Sequence, residues 1–398
     1  MKTLLIVLDG VGDLPCVELK GKTPLEAAHK PHMDALAKRA IVWNARIAKD
    51  VAPESDVGVL SILGISPFEK HYGRSIFELL STGEEFKPGW LVARTNFCTL
   101  RGGKIVDRRA GRISTEDAKL LEKEINKIKL SVPFVFRATA GHRGVVWFKG
   151  KFSKNVQNTD PAYQKDSRGI TNALTNFGDE ILECVALDGK KETVEAAKIV
   201  NEFTLAVNAA LEKGDFNKKR STGGQLQANG ITLRDCETEL PSEDYRDWTI
   251  LAGMPLEIGI GKAFQMKVVC VKEGDYTKIA QVAAREIERE NVYVHLKGPD
   301  IFGHDGKPIE KKKCIEEIDE KFFGNLKVDL TKTRIIITAD HSTPCKLKAH
   351  SSDTVPVLVA GEGVEGRDNF FDEKTSRAKK EIPAWEILQR AKTLVLRA

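Results

Sequence analysis

The stretch Arg334-Ile335-Ile336-Ile337-Thr338-Ala339-Asp340-His341 decides how this chain is read. An unbroken branched apolar run suits a strand buried on both faces, and such strands belong to parallel sheets covered by helices. It ends on two side chains that can bind a metal, at the place where open α/β sheets collect ligands, outside the carboxyl ends of their strands. The same grammar recurs elsewhere. Leu4 to Leu8 ends on Asp9 and the turn Asp9-Gly10-Val11-Gly12-Asp13; Val292 to Leu296 precedes Asp300 and His304; His350 stands shortly before the run Val355 to Ala360. Lys267 to Val271 is a further strand of this kind. Helical patterns fill the intervals, at 276–290, 308–323 and 384–394, and Thr23-Pro24-Leu25-Glu26 carries the cap, proline and acidic residue of a helix start. Strand alternating with helix predicts an α/β fold with a mainly parallel, layered sheet.

The middle of the chain follows a different pattern. Ser114 caps an amphipathic segment reaching Ile128, and two short strands, Phe134 to Arg137 and Gly144 to Phe148, flank a glycine turn. Ser153 to Thr175 is polar with almost no apolar periodicity. This predicts a smaller inserted α+β domain over 112–180 within a core made of 1–111 and 181–398. Glu192 to Leu211 reads as a long core helix, and Lys218 to Asn229, rich in Gly and Lys, as a loop.

At 398 residues the chain exceeds one ordinary core, and 41% hydrophobic residues suffice for burial. Its 62 basic and 57 acidic residues leave a net charge of +5 spread along the chain, which argues against nucleic acid as a partner and suits a small anionic substrate. The 7 cysteines are odd in number, scattered and never spaced as C-x-x-C, the usage of a reducing compartment. The opening apolar run is too short for a secretory core, and no stretch approaches the ~20 apolar residues of a membrane span. A cytoplasmic protein with no membrane partner is expected, with a homo-oligomer left open.

Carboxylates and imidazoles without thiolates suit divalent ions bound for catalysis rather than a structural zinc site, with Mn²⁺ ahead of Zn²⁺, Co²⁺ or Mg²⁺. Two such ions about 4 Å apart lower the pKa of a coordinated hydroxyl and neutralise a transferred phosphoryl group. Ser55, in Pro53-Glu54-Ser55-Asp56-Val57-Gly58, is the candidate hydroxyl, at the start of a helix expected over Asp56 to Leu63. Local sequence alone favours the plainer reading of Ser55 as a helix cap. Arginine binds phosphate and carboxylate oxygens in pairs. Candidates are Arg108, Arg109 and Arg112, grouped with Asp107 before the insertion, and Arg137 and Arg143 within it; a solvated charged face is the competing reading of either group.

Several longer stretches carry a resemblance: GKTPLEAA, PESDVGVLSILG around Ser55, VDRRAGRI, LAGMPLEIGIGKAF, GPDIFGHDGK and TADHSTPCKLKAHSSDTVPVLVAG. With the ligand set above, the chain resembles the alkaline phosphatase superfamily of metalloenzymes. Within it, the chain resembles the archaeal-type 2,3-bisphosphoglycerate-independent phosphoglycerate mutases. That resemblance implies an alkaline phosphatase-like core in which Asp300, His304 and His350 hold one ion and Asp9, Ser55, Asp340 and His341 the other. It implies Ser55 as phosphoryl acceptor and substrate contacts from Asp107 and the five arginines. Lys262 matches a catalytic lysine of the wider family. The implied reaction interconverts 3-phosphoglycerate and 2-phosphoglycerate through a phosphoserine, in glycolysis and gluconeogenesis, with no 2,3-bisphosphoglycerate. The inserted domain would act as a lid that keeps water from the intermediate. Ser75-Ile76 departs from the family's Gly-Pro. Alternatives are a metal-dependent phosphatase or another phosphomutase of the superfamily, and, outside it, a catalytically silent metal- or anion-binding protein.

Overall fold

The computed structural model describes residues 1–48, 52–165, 171–174, 176–366 and 368–394. They divide into two compact units. The first comprises Met1–Lys70, Asp244–Gly261 and Gln265–Ala398, and the second His71–Glu243 with Lys262–Phe264.

The first unit holds an eight-stranded sheet in the order Lys267–Cys270, Trp248–Ala252, Asn291–Leu296, Lys2–Leu8, Thr333–Thr338, Val355–Ala360, Ala40–Arg46 and Glu381–Pro383. All strands run the same way except Val355–Ala360, which is antiparallel to both neighbours. The central strands are buried along nearly their whole length, as their apolar runs require. Leu8 pairs with Leu296 and Val7 with Thr338, so Asp9 and the segments after Leu296 and Thr338 leave the sheet on one edge. Because Val355–Ala360 is reversed, the chain entering it, which carries His350, arrives on that same edge.

The expected α/β class and mainly parallel sheet are present, with shorter helices than the patterns suggested. The Thr23 start forms its capping box but only the single turn Pro24–Ala27, and the last helix begins as a 3-10 turn at Ala384–Glu386 before Ile387–Thr393. Among the described residues no helix is long and apolar enough to cross a membrane.

The second unit is wider than the expected 112–180. Its organising element is the strand Leu91–Arg101, which pairs antiparallel with Arg143–Phe148, with Gly230–Glu237 and with Lys104–Asp107. Phe134–Ala138 extends the sheet beyond Arg143–Phe148. Thus the flanks 71–111 and 181–243, assigned to the core from sequence, belong here, because this sheet is closed by strand pairs far apart in the chain. The helix Lys191–Lys213 buries Phe203 and Val207 in a core shared with Phe97, Phe136 and Phe148, and Phe148 meets Phe203 edge to face at 5.5 Å. Ser114 caps Thr115–Ile125 as expected. Residues 166–170 and 175 of the polar stretch lie outside the described residues. One expectation holds only in part: 218–222 of the predicted loop 218–229 belongs to the helix Asp215–Thr222, while 223–229 is loop. The helix has almost no apolar face, and Asn217 anchors it by bonding the Leu211 and Ala228 carbonyls and the Ala228 N–H, contacts no periodicity reveals.

In the first unit a buried polar knot lies beneath the sheet edge. Lys311 Nζ meets Asp13 Oδ2 at 2.9 Å with both side chains fully buried, and Glu373 accepts from Asp13 N–H and from Thr23 Oγ1. Burial pushes the Glu373 carboxyl from 4.5 up to about 7. A raised acid binds its proton more tightly when folded, so its contribution is full below about pH 4.5 and is lost as pH rises through about 7. The loss is on the order of 3 kcal/mol. The Tm of EDTA-treated protein is therefore expected to fall between pH 5 and 8, and Glu373→Gln to flatten that slope; an equally steep slope in the variant would exonerate Glu373.

Candidate metal centre and nucleophile

Asp9, Asp340 and His341 bring their donor atoms within 4.8 Å of one another, and so do Asp300, His341 and His350. Asp9 Oδ1 lies 3.6 Å and Asp340 Oδ2 3.3 Å from His341 Nε2. In the second group Asp300 Oδ1 lies 3.6 Å from His350 Nε2 and 3.5 Å from His304 Nε2, the latter one turn along the helix Pro299–Asp305. The rings of His341 and His350 stack at 3.7 Å. All six sequence-predicted ligands are thus brought together, although the donor grouping follows His341 rather than His304.

Backbone groups orient three of the candidate ligands, Asp340, His350 and His304. Gly10 N–H and His341 N–H both donate to Asp340 Oδ1, which leaves Oδ2 facing the cluster. His350 Nδ1 meets the Pro53 carbonyl at 2.8 Å and His304 Nδ1 the Lys348 carbonyl at 3.2 Å, fixing their Nε2 atoms on Asp300. Asp300 Oδ1 also accepts from Thr343 Oγ1. Gly10 sits at φ 57° with Asp300 and Thr343 so close that a Cβ would clash with both.

Ser55 is the first residue of the helix Ser55–Ile62; Glu54 occupies the cap position, so the cap reading of Ser55 does not hold. Its Oγ lies 3.2 Å from His341 Nε2. The helix can approach this closely because Gly58 rests on the Asp340 backbone, where a Cβ would come within 2.1 Å of the carbonyl oxygen.

Charge shows what the cluster lacks. Burial opposes ionisation of Asp9, yet Lys297 and His295 hold its carboxyl well below the usual range. Burial likewise opposes ionisation of Asp300, which the His350 hydrogen bond and Thr343 keep low. His350 is pushed up to about 9: desolvation works against its charge, and the Asp300 hydrogen bond and charge overcome it. Asp9 Oδ1 and Asp340 Oδ2 are buried with no hydrogen-bond partner. Two buried carboxylate oxygens without hydrogen-bond partners beside one imidazole nitrogen suit a cation, and oxygen with imidazole donors fits a divalent metal.

Three residues here escaped the sequence reading. His295, Lys297 and Glu257 stand behind Asp9, with Lys297 Nζ 3.1 Å from Asp9 Oδ2 and 2.8 Å from Glu257 Oε1. His295 and Lys297 lie beside Asp300 in the chain and could have been flagged as polar residues breaking an apolar strand end; Glu257 had no local signal. Lys262, by contrast, belongs to the second unit, where its Nζ donates to the Leu80 carbonyl.

The predicted anion-binding residues divide by environment. Burial and the charges of Arg143, Arg109 and Arg234 push His142 down to about 4. Burial and the like charges of Arg74 and Arg94 hold the Arg143 guanidinium below its ordinary value. Arg108 pairs with Asp160 at 2.8 Å, and Arg234 meets the other Asp160 oxygen at 3.1 Å. Arg94 pairs with Asp235 and Glu78. Arg137 is engaged by Glu84 at 2.7 Å and Glu122 at 3.2 Å, Asp107 closes a turn by accepting from Arg109 and Gly111 N–H, and Arg112 is exposed at φ 56°. Arg74, Arg94 and Arg234 were missed because each lies in an element far in sequence from the arginines it joins.

A family model described as 2,3-bisphosphoglycerate-independent phosphoglycerate mutase matches residues 41–217, and one described as the metalloenzyme superfamily matches residues 259–384. The chain is 36% identical over 381 residues to the 2,3-bisphosphoglycerate-independent phosphoglycerate mutase of Pyrococcus abyssi, covering 91% of this chain and 89% of that one. It is 35% identical over 385 residues to enzyme 1 of that name from Archaeoglobus fulgidus, covering 92% and 90%. Among solved structures, a protein from Pyrococcus horikoshii matches with a TM-score of 0.83 and 28% identity over 100% of this chain and 98% of its own. The cofactor-independent phosphoglycerate mutase of Thermoplasma acidophilum matches with 0.70 and 25% over 99% and 100%.

Proposed function

This chain belongs to the 2,3-bisphosphoglycerate-independent phosphoglycerate mutase family, and from that premise we propose that it interconverts 3-phosphoglycerate and 2-phosphoglycerate through a phosphoserine at Ser55. The observation that carries this reading is the Ser55 hydroxyl at 3.2 Å from His341, beside two buried carboxylate oxygens without partners.

Asp9, Ser55, Asp340 and His341 would hold one divalent ion and Asp300, His304 and His350 the other, with Mn²⁺ the ion we propose. Bound there, the ions supply positive charge to an anionic phosphoryl group and lower the pKa of a hydroxyl. The chain's own residues do the rest. Ser55 Oγ attacks phosphorus in line as the bond to the substrate's 3-oxygen breaks, the serine proton passing to that oxygen and leaving glycerate. The 2-hydroxyl then takes the phosphoryl group back, and its proton returns to Ser55 Oγ. Arg109, Arg143 and Arg234 are proposed to bind the carboxylate and phosphate, and the second unit to serve as the water-excluding lid. Arg108, Arg112 and Arg137, with Asp107, are proposed to frame that anion site, and Lys262 to brace it through the Leu80 carbonyl.

The test is conversion of 3-phosphoglycerate, followed by coupling to enolase, without 2,3-bisphosphoglycerate. Turnover is expected with Mn²⁺ and none after chelation. Release of inorganic phosphate in place of 2-phosphoglycerate would assign a hydrolase instead.

A further inference from the structure

Beneath the metal ligands, one lysine bridges two buried carboxylates. Lys297 follows the strand Asn291–Leu296 and places Nζ 3.1 Å from Asp9 Oδ2 and 2.8 Å from Glu257 Oε1. The Glu257 side chain is 1% exposed and its Oε2 has no hydrogen-bond partner. His295, also 1% exposed, turns Nδ1 toward Tyr293 Oη at 3.0 Å and Glu257 Oε1 at 3.4 Å, and points Nε2 between Asp9 Oδ1 and Asp340 Oδ2, 3.8 Å from each. Among the described residues Lys297 is the one lysine or arginine paired with Asp9, Asp340 or Glu257.

The arrangement has the composition of a cation site, two carboxylates with an imidazole beside them, filled by an ammonium group. Two carboxylates this close and this buried cannot both stay ionised without a positive charge between them. By taking Oδ2, Lys297 leaves Asp9 a single oxygen, Oδ1, facing His341.

We propose that Lys297 is a positioning residue that takes the place of a third cation, filling the space between Asp9 and Glu257 so that Asp9 offers one oxygen to the catalytic ion. The proposal rests on Asp9 being a metal ligand, as set out above. It follows that removing the ammonium charge creates a site for a further divalent ion, held by Asp9 Oδ2 and Glu257 and completed by water.

Wild type, Lys297→Met and Lys297→Arg are purified in Mn²⁺, desalted, checked for fold by circular dichroism and analysed for manganese per chain. Lys297→Met is expected to carry one ion more than wild type, Lys297→Arg the wild-type number, and Lys297→Met/Glu257→Gln to lose the additional ion. Lys297→Gln keeps an N–H donor without the charge; it is the second variant and should gain the same ion. Equal manganese in wild type and either folded neutral variant would overturn the proposal. So would failure of both neutral variants to fold in Mn²⁺, since the ion should then substitute for the ammonium. Absence of manganese from wild type itself would instead count against the metal centre of the proposed function, so the two failures are distinguishable.

Discussion

Ser55→Ala is expected to lower interconversion of the phosphoglycerates by at least ~10⁴-fold while leaving the fold unchanged. In the proposed mechanism the hydroxyl accepts the phosphoryl group, so its removal would eliminate the reaction path rather than weaken a contact. The structural cost is small, because Glu54 rather than Ser55 stands at the helix cap and Ser55 makes no cap hydrogen bond. In wild type, rapid quenching with substrate should leave phosphate on the peptide containing Ser55 by mass spectrometry, and the variant should show none. Normal turnover by the alanine variant would remove Ser55 from the mechanism.

Chelation should have the second largest effect. Treatment with EDTA is expected to abolish turnover and to lower the first thermal transition, and Mn²⁺ to restore both. Asp9 Oδ1 and Asp340 Oδ2 are buried without hydrogen-bond partners, so the metal-free fold leaves two polar oxygens unsatisfied that a bound ion would engage. An ion that binds only the folded chain adds about 2.7 kcal/mol at a concentration of 100 times Kd. The effect has a defined pH dependence. The metal-free His350 is held protonated up to about 9 by Asp300, against its burial. An ion must displace that proton, so affinity should weaken about tenfold for each pH unit below 9. Titration calorimetry from pH 6 to 8 measures this, and a Kd constant over that range would show that His350 is not a ligand. Activity undiminished in EDTA would overturn the metal centre as a whole.

The candidate ligands were legible because each follows a buried strand, directly or on the short helix Pro299–Asp305 after it, or lies on the loop leading into one. The parallel register of Lys2–Leu8 with Asn291–Leu296 and Thr333–Thr338 then forces those loops to meet. The second unit was less legible. Its strand Leu91–Arg101 alternates poorly and pairs with Gly230–Glu237 across more than a hundred residues of chain, so neither its bounds nor the pairing of Arg94 with Arg234 had a local signal. Lys297, which pairs with Asp9, had no signal beyond being a polar residue at the end of a strand that reads as core.

By itself the sequence determined the α/β class, the sheet edge at which chemistry gathers and six of the side chains waiting there, because apolar runs and their terminal residues are local properties. Only the tertiary structure decided that Ser55 faces His341 instead of capping its own helix, and that Glu257 and Lys297 stand behind Asp9. Those outcomes depend on a glycine contact between Gly58 and Asp340 and on ion pairs between distant segments. Their energies exist only once the strands have paired.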